Sequence, residues 1–296
     1  MRAKLSLSIV LGLALLFGAS SIFVCPVSAQ TAPAVRSNRV EERQLKSQLM
    51  AREMPYRVIL PAKYSSKKFQ RFPVIYLLHG LTGNYKNWVD KTDVEQFAAD
   101  YDFVIVTADG NNGWYTDSFT APNDKFESYI VKELIPEIEK EFPVLADRDH
   151  RIVAGLSMGG YGSIKFGLKY PEMFSLVGSF SGALGAASFT EKNAGPNIGK
   201  GIDMIYGPEG SEARAANDIF KLIREASPEK VKAMPFIYQS CGTEDFLIGS
   251  NREFLALMNE KKAAHEYREH PGVHDWIFWN DQVREFLAVA ARRTKR

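Results

Sequence analysis

Neither sign of charge prevails in this 296-residue chain: 37 lysines and arginines face 35 aspartates and glutamates. Two of the bases, Arg2 and Lys4, sit at the very start, and setting them aside leaves 35 against 35. That balance removes the electrostatic case for a nucleic-acid partner. Cysteine is nearly missing, with Cys25 and Cys241 the only two, so no disulfide framework is available to staple the fold. Histidine is scarce at five, and these form no HExxH pair. CxxC pairs are lacking too, and Pro271-Gly272 keeps His270 and His274 off one helical face, so no metal is expected. No GxGxxG or P-loop follows the first strands, and neither a nucleotide nor another cofactor is expected. With 45% apolar residues, 24% charged residues and 14 prolines, the composition excludes disorder, collagen and coiled coil.

Arg2 and Lys4 precede an uncharged run of 20 residues from Leu5 to Val24, and Val27-Ser28-Ala29 offers small residues where a signal peptidase reads. The expectation is a signal peptide over residues 1–29, cleaved after Ala29, and a secreted or periplasmic product. The competing reading is an uncleaved anchor, since such a run is long enough for a bilayer core of ~30 Å. Its serine and glycine content weakens that reading, and only in that form is a membrane a partner. Lipidation at Cys25 fits poorly because the bulky Phe23-Val24 pair precedes it. Residues 30–50 show no hydrophobic period and read as a linker or loosely ordered arm, with one domain over 51–296.

From Tyr56 onward, short apolar runs alternate with longer helical patterns. The expected strands are Tyr56–Leu60, Val74–Leu78, Phe103–Val106, Arg151–Ala154, Phe174–Phe180, Phe236–Ser240 and a more polar His265–Arg268. Helices are expected near Lys91–Asp100, Lys125–Phe142, Met158–Lys169, Ala213–Ala226, Ser250–Lys262 and Trp276–Arg292. Alternation of this kind, with strands that are continuous apolar runs, predicts an α/β domain: a mostly parallel sheet covered on both faces. The stretch Ser181–Gly210 breaks the pattern with seven glycines and reads as a long functional or mobile loop.

The strongest chemical signal is Gly155-Leu156-Ser157-Met158-Gly159-Gly160, placed after a strand and at the start of a helix. In that context GxSxG is a nucleophile elbow: the serine takes a strained backbone conformation, and the flanking glycines relieve collisions that larger residues would suffer. A serine needs a base. His265 and His150 lie in polar stretches and read as solvent-facing. His274 follows the last strand and precedes the final helix, where a base leans over the elbow from the carboxyl edge of the sheet; His270 lies one turn earlier. The orienting acid is expected after the strand Phe236–Ser240, at Asp245 with Glu244 as the alternative. Ser157, Asp245 and His274 then stand 88 and 29 residues apart, in the chain order serine, acid, histidine. Two backbone amides must meet the oxyanion: Met158, directly after the serine, and Leu81, from the loop His79-Gly80-Leu81-Thr82-Gly83. For the substrate itself the candidates are His79, Gly80, Trp114, Tyr115, Asp117 and Trp276, all near the same sheet edge.

These motifs together, Leu77-Leu78-His79-Gly80 with Trp88, Gly155 to Gly160, Gly242 with Asp245, and Gly272 with His274 and Trp276, resemble one esterase family of α/β-hydrolases. It includes esterase D (S-formylglutathione hydrolase), the mycolyltransferases, and feruloyl, acetylxylan and tributyrin esterases. The resemblance runs from about Tyr56 to the end. It implies an α/β-hydrolase fold without a large cap domain, Ser157, Asp245 and His274 as the triad, and Leu81 and Met158 as oxyanion donors. The implied partner is a small-molecule or carbohydrate ester, of short-chain, acetyl or feruloyl type. Acyl transfer to a sugar hydroxyl and a catalytically silent binding module are the alternatives. The signal segment favours the secreted branches, and the oligomeric state is not legible.

Overall fold

A computed structural model describes residues 39–64 and 69–294, so the segment read as a signal peptide lies outside the described residues. Eight strands appear in chain order: β1 (Val40–Ser47), β2 (Arg52–Ile59), β3 (Val74–Leu78), β4 (Val104–Ala108), β5 (Arg151–Leu156), β6 (Leu176–Phe180), β7 (Phe236–Gly242) and β8 (His265–His270). They form one sheet in the order β1-β2-β4-β3-β5-β6-β7-β8. β1 pairs antiparallel with β2, and β2 with β4; every other pairing is parallel. β3, β4, β5 and β6 are buried along their whole length, as strands covered on both faces must be. Two apolar clusters do the covering, one containing Tyr76, Val106, Val153 and Ile164, the other Leu77, Ile105, Ala154 and Phe286. Alternate residues of each strand thus feed opposite cores, in keeping with the two-residue period of a strand.

The chain winds one way from β3 to β4 and the other way from β5 onward. The loops after β3 and β5 therefore part from each other at the carboxyl edge, and a crevice opens between them. Register keeps those ends level, with Leu78 opposite Gly155, Leu156 opposite Phe180, Phe180 opposite Ser240 and Gly242 opposite His270.

Several expectations are corrected. The arm read over 30–50 is ordered where it is described: Val40–Ser47 is an edge strand fully paired with β2. Its sequence VEERQLKS hides it from a hydrophobic pattern, because an edge strand keeps its charges in water. The expected helix Lys91–Asp100 is two helices, Asn87–Lys91 and Val94–Ala99. That at Lys125–Phe142 passes through a π turn at Ile130–Leu134, just before Pro136, which has no amide to continue the ordinary ladder. The one expected at Ala213–Ala226 is broken where the Asp218 side chain accepts from the amides of Phe220 and Lys221 and starts a new helix, Ile219–Arg224. Ser181–Gly210 is no bare loop, since it contains the helix Pro196–Tyr206, whose Ile202 and Tyr206 enter the core. Pro228–Ala233 is a further helix, unsignalled by period.

Candidate active site

Ser157 stands between β5 and the helix Met158–Lys169 with φ +53° and ψ −116°, a conformation that non-glycine residues avoid. The turn holds it there through the amide of Ser157, which donates to Phe180 O (2.9 Å), and through Ser157 O, which accepts from the amides of Tyr161 and Ala183 (3.0 Å each). Packing explains the glycines. A Cβ on Gly155 would fall 2.5 Å from the carbonyl oxygen of Gly159, and one on Gly159 would fall 2.7 Å from that of His79. The elbow thus lies directly on the chain leaving β3.

From the ends of β7 and β8 two more loops converge on the serine. His274 Nε2 is 3.0 Å from Ser157 Oγ, and His274 Nδ1 is 2.8 Å from Asp245 Oδ2. Asp245 Oδ1 accepts from the amide of Leu247 at 2.8 Å. Only 2% of Asp245 is exposed, and burial opposes its ionisation. The hydrogen bond from His274 and that from the Leu247 amide outweigh burial and hold the carboxyl below its ordinary value. A buried carboxylate accepting from Nδ1–H fixes the imidazole with Nε2 bare toward the hydroxyl, the state able to take its proton.

Glu244, the alternative acid, is exposed and turned elsewhere, its carboxylate accepting from the Gly272 amide (2.7 Å) and from Thr243 Oγ1 (2.8 Å). It ties the histidine loop rather than the histidine. His270 faces Glu285 at 3.4 Å, away from the serine.

Met158 is the first residue of its helix, so its amide has no acceptor within the helix, and the helix amino terminus lends it partial positive charge. Its side chain is fully buried in the core. Gly80, Leu81 and Thr82 line a cleft of about 430 Å³ together with Ser157, His274, Phe246, Trp276 and Trp279. Leu81 and Thr82 also border a second cavity of about 600 Å³, walled by Trp114, Phe126, Ile198, Met204 and Asn112.

The substrate candidates divide accordingly. Gly80 and Trp276 line the reactive cleft, and Trp114 the adjoining cavity. His79 and Tyr115 do neither, being wholly buried and occupied with backbone partners. Asp117 is corrected as well: it caps the helix Phe126–Tyr129 by accepting from the amide (2.9 Å) and hydroxyl (2.6 Å) of Ser128. Sequence reading missed Phe246, an exposed ring 4.6 Å from the His274 ring, and Trp279, whose ring lies 4.9 Å from it. Phe246 had one local signal, its place directly after the acid.

A family model described as "Putative esterase" matches residues 47–288. The chain belongs to this esterase family. It is similar to an acetyl esterase of Caldicellulosiruptor saccharolyticus, 30% identical over 80% of this chain and 92% of that one. A solved ferulic acid esterase superposes with a TM-score of 0.73 at 27% identity, over 86% of this chain and 97% of that one. An S-formylglutathione hydrolase from Agrobacterium tumefaciens shares the fold with a TM-score of 0.74 at 21% identity, over 86% of this chain and 95% of the other. The esterase is thus an α/β-hydrolase and a serine carboxylic ester hydrolase. Between β6 and β7 the helices Pro196–Tyr206 and Ile219–Arg224 pack on the core through Ile202, Tyr206, Ile219 and Ile223.

Proposed function

We propose that the esterase is a secreted serine carboxylesterase that cleaves short-chain or carbohydrate-linked esters, of acetyl or feruloyl type, through an acyl-enzyme on Ser157. The observation that carries this reading is the unbroken chain Ser157–His274–Asp245, with hydrogen-bond distances of 3.0 and 2.8 Å. In the proposed mechanism Ser157 Oγ gives its proton to His274 Nε2 and attacks the ester carbonyl. The oxyanion that forms takes hydrogen bonds from the amides of Met158 and Leu81, and His274, now cationic beside Asp245, protonates the departing alcohol. Water then repeats the sequence on the acyl-enzyme. Because the base hands its proton to the alcohol, the alcohol leaves along the His274, Phe246 and Trp276 side of the cleft, and the acyl group lies toward Leu81.

The substrate class is supported by the small cleft and by the likeness to an acetyl esterase and a ferulic acid esterase. Secretion is supported by Arg2, Lys4, the run Leu5–Val24 and Val27-Ser28-Ala29. The test is a p-nitrophenyl ester series with fluorophosphonate labelling. One label is expected on Ser157, with Ser157→Ala retaining only the ~10³ to 10⁴-fold over water that binding and oxyanion contacts provide. kcat/KM is expected to fall from butyrate to palmitate, since each CH₂ left in water forfeits ~0.8 kcal/mol. Labelling elsewhere overturns the mechanism, a palmitate preference overturns the substrate class, and an exported protein that does not begin at Gln30 overturns the processing.

A further inference from the structure

His79 is buried beside the site and does not itself line the cleft, yet both of its ring nitrogens are committed. Gly110 N donates to Nε2 at 2.8 Å, and Nδ1 lies 2.8 Å from Gly80 O. An amide only donates and a carbonyl only accepts, so the tautomer is forced: Nε2 is bare and Nδ1 carries the proton. Gly80 O also accepts from the Gly83 amide at 3.0 Å. That carbonyl belongs to the same trans peptide unit as the Leu81 amide, so holding the oxygen on one side turns the Leu81 N–H to the other, toward the cleft that Gly80 and Leu81 line.

Behind His79 the brace continues. Tyr115 Oη donates to His79 O at 3.0 Å, its ring in a slot between Gly110 and Gly162, where a Cβ would come within 2.4 and 2.7 Å of it. Trp114 and Tyr115 both hold φ near +50°, a strained pair of turn residues. The strain is held by Lys165 Nζ, which donates to Tyr115 O (2.7 Å) and Thr116 Oγ1 (2.6 Å) and pairs with Glu127 (2.9 Å). Lys165 lies on the helix that Met158 begins. The two oxyanion amides come from segments far apart in sequence, and this chain of buried contacts links them in addition to the direct seat of Gly159 on the chain leaving β3.

We propose that His79, braced by Tyr115 and Lys165, is a positioning residue that aims the Leu81 amide at the oxyanion and keeps it in step with the Met158 amide. The inference rests on the proposed roles of those two amides. Burial also lowers the pKa of His79, outweighing the Gly80 carbonyl and the Asp109 carboxylate, so the neutral ring is the stable form. Asp109 and Tyr115 are the other titratable groups that face the ring.

The test begins on the unaltered enzyme. Nitrogen-15 spectra of labelled histidine, with the His79 signals assigned by their loss in His79→Asn, should show protonated Nδ1 and bare Nε2 in that ring at pH 8, as in His274, and a titration displaced below that of an ordinary histidine. A protonated Nε2 at His79 overturns the proposal. His79→Asn places an amide donor near the position of Nδ1, whereas His79→Gln reaches only the position of Nε2. With p-nitrophenyl butyrate, Asn should lose less than about tenfold in kcat, and Gln and Ala about 10²-fold, with KM within about twofold throughout. The inhibition constant of a trifluoromethyl ketone, whose adduct carries an oxyanion, should rise in step with the loss of kcat. A rise in KM at constant kcat, or Asn no better than Gln, overturns the proposal. If Ala does not fold, the Asn and Gln pair decides. Fluorophosphonate failing to label Ser157 in the unaltered enzyme would instead overturn the mechanism beneath it, so the two failures are distinct.

Discussion

Replacing Asp245 by Asn tests the site most sharply, because the structure dictates how the new side chain must turn. The carboxylate accepts twice, from His274 Nδ1 on Oδ2 and from the Leu247 amide on Oδ1. Asparagine has one oxygen. If that oxygen faces His274, its NH₂ meets the Leu247 N–H, donor against donor, at a site 2% exposed, leaving a buried amide unsatisfied at about 1–3 kcal/mol. If the oxygen takes the Leu247 amide, the NH₂ faces His274 Nδ1, which satisfies every group once the imidazole moves its proton to Nε2. The second arrangement wins, and Nε2–H then points at Ser157 Oγ and accepts nothing. The expected result is a 10⁴-fold loss of kcat, about 5 kcal/mol of transition-state stabilisation, with the fold intact. Steady-state hydrolysis of p-nitrophenyl butyrate alongside thermal unfolding measures both. A loss under about tenfold in a folded variant would refute the reasoning, as would a larger loss in Glu244→Gln, whose carboxylate ties the Gly272 amide and Thr243 Oγ1 and not His274.

His274→Ala should fall within about tenfold of Ser157→Ala in residual kcat, since groups acting as a unit are not additive, while His270→Ala, which faces Glu285, should keep kcat within about threefold. Reversal of the two would move the base by one turn of chain. Gly159→Ala puts a methyl 2.7 Å from His79 O, so a loss of about 1–3 kcal/mol in urea denaturation and a loss of kcat of at least about tenfold are expected; a neutral result would deny the tight seat of the elbow. Burial opposes ionisation of Glu127, but Lys165 and Lys169 bring its pKa down to about 2 from 4.5. A depressed carboxylate stabilises fully above the unfolded value, so roughly 2–3 kcal/mol should be lost as pH falls from about 4.5 toward 2. Glu127→Gln should flatten that slope in denaturant midpoints, and an unchanged slope would rule the pairing out. Trp114→Ala, in the wall of the cavity next to Leu81, should alter the ranking of acyl esters and, because the ring is 4% exposed and packed on Tyr161 and Tyr206, should also cost about 3–5 kcal/mol in urea denaturation; an unaltered ranking would place the acyl group elsewhere.

What the sequence alone determined lies within a few residues of itself. The elbow is legible because its geometry follows from near-neighbour sterics, glycines two residues either side of a strained serine between an apolar strand and a helix. The parallel core is legible because β3 to β6, buried on both faces, leave no polar alternation. The chain order of Ser157, Asp245 and His274 is legible for the same reason, each following a recognisable strand. Tertiary structure alone decided which neighbour in the acid loop turns inward, Asp245 or Glu244, because that depends on a loop 29 residues away. It also moved His79 and Tyr115 from the substrate surface to its support, since sequence places a residue near an edge without giving the direction of its side chain. The edge strand β1 stayed hidden because its pairing is with backbone, and backbone hydrogen bonds leave no mark on side-chain composition. Ser157 and His274, 117 residues apart, come within 3.0 Å because the parallel register brings the strand ends level, an outcome of packing that no local pattern encodes.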